Sequence, residues 1–259
     1  MGILLKSGLE WPLIQSAVIA LVAISLLMTI LICHKVLKNF IPNRTLQLGS
    51  GFGNTGYFGI PVSLALLPNH ALIYSIGFDL GATLFIWSLG PILLVESSEE
   101  FTPNRYWKNF KKGITRSPAV KGLIGALIIQ SSPWNKQITD LLWIPSRIVM
   151  VLALVIVGMS LGWLRKSNFS KEKITSIKNA LLMKLIGLPI IMLIISSIIR
   201  LPNIMRNALV LQAAAPTAIS VLLITQAETQ EEAEVTSLLV ISTITAMITI
   251  PAWSLILRL

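Results

Sequence analysis

Residues 49–67 read GSGFGNTGYFGIPVSLALL, an apolar stretch long enough to cross a bilayer yet interrupted by Gly49, Gly51, Gly53, Gly56, Gly59 and Pro61. Membrane helices do use glycine for close packing, and that reading stands beside a second. Pro61 removes a backbone donor and frees the carbonyl one turn back, near Tyr57. Freed backbone groups at membrane depth are tolerated only where protein or a wet cavity meets them. Asn54 and Thr55 precede the proline, where their side chains can reach a ligand or the opened backbone. The stretch is expected to be a broken membrane helix.

A second stretch repeats the pattern. Residues 213–226, AAAPTAISVLLITQ, place Pro216 among small residues with Thr217 and Ser220 close by. Downstream, Pro61 is followed by Pro91 and Pro216 by Pro251, a weak internal repeat. The two broken helices stand an odd number of spans apart, so they run through the membrane in opposite directions. Such inverted pairs meet near the midplane and offer half-helix N-termini to anions and open carbonyls to cations.

Around these stretches the composition is that of a membrane protein: 54% of the 259 residues are hydrophobic, only 12% are charged, and the mean hydropathy is +0.78. Runs of about 20 residues with no charge or one match a hydrocarbon core of roughly 30 Å. The expected spans are Pro12 to Leu37, Leu48 to Leu67, Ala71 to Val95, Pro118 to Gln130, Ile144 to Leu164, Asn179 to Ile199, Asn207 to Gln226 and Ala233 to Leu257. The fold class is an all-α integral membrane protein of about eight helices, a single membrane domain. Residues 1–95 form a three-helix part, 96–117 a cytoplasmic linker and 118–259 a five-helix part. Trp107, Phe110 and the lysines beside them suit a short interfacial helix or a plain charged loop. The N-terminus lacks the pattern of a cleaved signal peptide, so the first helix is expected to be kept.

The net charge of +10 sits in short loops rather than on one face, which argues for membrane topology and against a nucleic-acid partner. Lys35, Lys38 and Arg44, then Arg105, Lys108, Lys111, Lys112 and Arg116, then Arg165, Lys166, Lys171, Lys173 and Lys178 fall on one side by an eight-span count. The positive-inside rule makes that side cytoplasmic. Both termini of this multi-pass chain then face the extracytoplasmic side of the cell membrane. The loop from Ala227 to Glu232 breaks the pattern, being acidic on the basic side.

Within the spans, Asp79 is the one deep acidic residue. It is expected to face the bundle interior, either as a proton- or cation-coupling group or as the anchor of a polar network beside Gly77 and Gly81. Lys184, five residues into the sixth span as bounded above, is expected to snorkel to the headgroups. Cys33 alone allows no intrachain disulfide and reads as a small hydrophobe. No residues are expected to be catalytic, and no metal or cofactor is expected: His34 and His70 lie at the ends of different spans, and neither metalloprotease, hydrolase nor Walker-type motifs occur.

The segments GNTGYFGIP (53–61), FDLGATLFIWSLG (78–90), VGMSLGW (157–163), AAAPTAISVLL (213–223) and STITAMITIP (242–251) together resemble the auxin efflux carrier family, which includes plant PIN auxin exporters and bacterial permeases for small carboxylates. The resemblance implies a secondary active transporter of a small organic anion, coupled to an ion or to the potential, with ten helices in two inverted repeats of five. The fourth and ninth helices of that fold are broken and cross at the substrate site. Carried over by motif, Asn54, Thr55, Pro61 and Pro216 border the substrate, and Gly56, Thr217 and Ser220 complete the candidate set. Ser220 and Ala82 stand where the family commonly has asparagine. Only one span precedes GNTGYFGIP where the family has three, so the 5+5 arrangement is expected to be incomplete. Either the gene starts further upstream or this is a shortened member whose scaffold another chain completes. The alternatives in function are an inactive or regulatory transporter homologue and, more distantly, a membrane enzyme. Membrane lipid is an expected partner, and a homodimer stays open.

Overall fold

The structure, a computed structural model, describes residues 10–94, 111, 115, 118–160, 171–228 and 232–259. Most of the expected linker, including Trp107 and Phe110, lies outside the described residues, as does the N-terminus before Glu10. Within the described residues the chain is helical: α1 (Trp11–Cys33), α2 (Lys35–Phe40), α3 (Arg44–Gly51), a π turn at Thr55–Gly59 running into α4 (Ile60–Leu66), α5 (Leu72–Leu94), α6 (Pro118–Gln130), α7 (Asn135–Ser160), α8 (Lys171–Leu182), a second π turn at Met183–Gly187 running into α9 (Leu188–Ile198), α10 (Asn203–Ala213), α11 (Ile219–Glu228) and α12 (Glu232–Ile256).

The fold is the all-α membrane architecture that the hydropathy implies. Four continuous stretches, Trp11–Cys33, Asn69–Leu94, Lys173–Ile198 and Ala233–Ile256, are long and apolar enough to cross a membrane. Two more crossings are broken, α3 with α4 and α10 with α11. Helix α6, of 13 residues, is about 20 Å long and short for a full crossing. Pro91 and Pro251, paired in the sequence repeat, both lie inside their helices, α5 and α12.

Burial explains how broken backbone survives here. Every residue from 45 to 52 and from 207 to 218 is buried, so the interrupted segments form the inner core and the continuous helices wrap them. Their opened backbone therefore meets protein, as lipid-depth irregularity requires. The wrapping helices turn apolar side chains outward instead. On α1 Trp11, Ile14, Val18 and Val22 are exposed while Leu13, Ala17, Ala20, Ile24 and Leu27 are buried.

Helix α1 packs along α5 through Gly77 and Gly81. A Cβ at either position would meet backbone of α1, the Leu13 carbonyl at Gly77 and the Ala17 carbonyl at Gly81. Small residues four apart let two membrane helices approach backbone to backbone. Asp79, two residues from each glycine, lies on the opposite side of α5 from this contact and is half-buried.

Just past the acidic loop, the start of α12 carries a paired carboxylate. Glu234 forms an ion pair with Lys173 at 2.8 Å and accepts a hydrogen bond from Asn43 Nδ2 at 2.7 Å. The adjacent loop residues 229–231 lie outside the described residues.

Candidate functional site

The two broken helices cross where Gly53 and Thr217 form an isolated antiparallel bridge. Asn54 N–H donates to the Pro216 carbonyl at 2.6 Å, and Ala218 N–H donates to the Phe52 carbonyl at 3.0 Å. Antiparallel pairing is what opposite passage through the membrane demands. Phe52 is in extended backbone and its ring packs against Phe85 of α5 with centroids 5.4 Å apart. A third element joins at Thr217, whose N–H donates to Ser242 Oγ of α12 at 3.0 Å and whose hydroxyl donates to the Gly49 carbonyl at 3.1 Å.

The position of the first break corrects one expectation. The chain leaves the helix at Phe52 to Asn54, not at Pro61, which is the second residue of α4, roughly 12 Å along from Gly53 at 1.5 Å per residue. The missing proline donor is absorbed by the π turn, in which Ile60 N–H reaches back to the Thr55 carbonyl. Pro216, by contrast, is part of the crossing itself and contributes its carbonyl to it.

The other candidate residues divide by what their side chains already do. The Thr55 hydroxyl donates to Asp79 Oδ1 at 2.5 Å, and a Cβ at Gly56 would lie 3.1 Å from that same oxygen. The Asp79 carboxylate is thus held against the first turn after the break, the positive end of the half-helix dipole. Thr217 is occupied as described. Asn54 is different: it is 6% exposed, its backbone carbonyl accepts from Phe58 and Gly59, and its side-chain amide has no partner among the described residues. Ser220, half-buried in the first turn of α11, likewise has no side-chain partner there.

Two features of the site were not anticipated. Lys184 does not snorkel: it is 0% exposed, and its Nζ donates to the Ala213 carbonyl at the end of α10 at 2.7 Å. The helix begins at Lys171 rather than Asn179, so Lys184 lies well inside it. It falls on the buried stripe of Ile177, Ala180, Leu188 and Met192, a helical spacing that is visible in the sequence. The second feature is a buried chain of polar side chains. Gln212 Nε2 donates to Ser63 Oγ at 3.1 Å, and Ser75 Oγ donates to the same oxygen at 2.9 Å, tying α10, α4 and α5 together beside the crossing. Gly59 leaves the space that the Gln212 amide occupies.

Among the described residues no group of histidine, cysteine and acidic side chains could hold a metal ion. The sequence matches the family described as Membrane transport protein over residues 2–254. No curated protein matches the chain.

Proposed function

The chain belongs to this membrane transport family, of the auxin efflux carrier type, and on that premise we propose that it is a secondary transporter that binds a small organic anion at the crossing of its broken helices. The observation that carries the reading is Asn54, a mostly buried residue whose side-chain amide has no partner among the described residues, placed where the two helices exchange backbone hydrogen bonds. Its N–H groups and the Ser220 hydroxyl bind a carboxylate at the N-terminal ends of two half-helices, where the dipoles favour negative charge. Thr55, Gly56, Pro216 and Thr217 shape the site, and Pro61 supports it from α4. Asp79 anchors the first turn through Thr55 and couples transport to an ion or to the potential. The basic loops orient the chain with both termini extracytoplasmic.

Reconstitution tests the proposal. Proteoliposomes loaded with radiolabelled monocarboxylates and dicarboxylates are expected to exchange at least one of them, and Asn54→Ala is expected to lose that exchange while keeping a native melting profile. Correctly inserted protein that moves none of the anions refutes it.

A further inference from the structure

A lysine side chain meets the crossing at a helix end. The last carbonyls of a helix have no partner within it and form the negative end of its dipole. At the end of α10 that negative end is met by the Lys184 ammonium through the Ala213 carbonyl. The ammonium also reaches the partner strand of the bridge, since a Cβ at Gly53 would lie 3.0 Å from Nζ and 3.2 Å from the Ala215 carbonyl. The lack of a side chain at Gly53 is what makes room for it.

Nothing else nearby explains the charge. Among the described residues no carboxylate lies within ion-pair distance of Lys184. The elements packed against its π turn are α3, α8, α9 and α12. Their charged residues, Arg44 on α3, Lys171, Glu172, Lys173 and Lys178 on α8 and Glu232 and Glu234 on α12, fall toward the ends of the helices, and α9 has none; α10, whose end Nζ meets, carries only Arg206, seven residues before Ala213. Asp79 is held by Thr55. Nor is Lys184 placed to touch a transported anion, because no part of it has accessible surface. Its one hydrogen-bond partner is the Ala213 carbonyl, and backbone carbonyls exposed at broken helices are the usual ligands of a bound alkali cation.

We infer that Lys184 keeps its proton and serves as a tethered cation, filling from within the chain the place beside the Ala213 carbonyl that would otherwise take a monovalent metal ion, so that the crossing forms without sodium. The inference rests on the crossing being the transport site, but its test reads stability and separates the two.

Thermal unfolding of the purified full chain in detergent is measured in sodium, potassium and choline chloride at equal ionic strength. The wild type is expected to melt at the same temperature in all three. Lys184→Met is expected to melt lower in choline and to recover, saturably, in sodium or methylammonium chloride. Specific stabilisation of the wild type by sodium overturns the inference, as does a Lys184→Met protein that melts like the wild type or that no small cation restores. If Lys184→Met does not fold, Lys184→Gln is read in the same salts, and a Lys184→Gln protein that no small cation stabilises overturns the inference. Failure of anion exchange in proteoliposomes with these cation responses intact refutes the transport reading and leaves the tethered cation standing.

Discussion

The contact between Thr55 and Asp79 offers the sharpest test of how the first broken helix is held. A hydrogen bond to a charged acceptor contributes about 1.5–3 kcal/mol, whereas side-chain hydrogen bonds between membrane helices average about 0.6 kcal/mol. The 2.5 Å separation is at the short end of the range for an O–H donor and does not by itself tell a charged acceptor from a neutral one. Thr55→Val removes the donor with almost no change in volume, and Asp79→Asn keeps an acceptor oxygen without the charge. If Asp79 is ionised, Thr55→Val costs about 1.5–3 kcal/mol in the wild-type background and about 0.6 kcal/mol in the Asp79→Asn background. The double-mutant cycle should then show a coupling of roughly 1–2 kcal/mol, measured by equilibrium unfolding in mixed lipid and detergent micelles. Additivity to within about 0.5 kcal/mol would show that the hydroxyl meets no charge, and the picture of a carboxylate anchoring the half-helix would fall.

Further outcomes follow from the same geometry. Gly77→Ala and Gly81→Ala each push α1 away from α5 and should cost about 1–3 kcal/mol; because one displacement relieves both clashes, the double variant should cost less than the sum in the same unfolding assay. Thr217→Val should lower stability by about 1 kcal/mol through loss of its bond to Gly49, while Asn54→Ala should leave unfolding unchanged and abolish anion exchange. Glu234→Gln should destabilise by no more than about 1 kcal/mol because Lys173 is exposed, and the difference from wild type should shrink when melting is repeated in high salt.

Much of this arrangement is readable in the residues, and the parts that are not have identifiable reasons. Glycine and proline mark both interruptions because each acts on its own backbone. They do not say how a helix restarts, so Pro61 points to a break that lies at Phe52 to Asn54, and the π turn between them leaves no local signature. Asp79 is conspicuous as a lone acid in an apolar run, but its partner Thr55 sits on another helix and only the fold introduces them. The same holds for Gln212 with Ser63 and Ser75. The depth of Lys184 is hidden because the charges at 171–178 resemble a loop, although they form the first turns of the helix that carries the lysine inward.

The bridge between Gly53 and Thr217 also constrains how such a protein can move. Two interruptions in separate helices would ordinarily be hinges, each free to bend. Here the reciprocal bonds of Asn54 with Pro216 and Ala218 with Phe52 rivet one interruption to the other, and Ser242 pins the joint to α12. A bend in either helix would break the rivet in both. Motion that preserves it must carry the joint as one block past the surrounding helices.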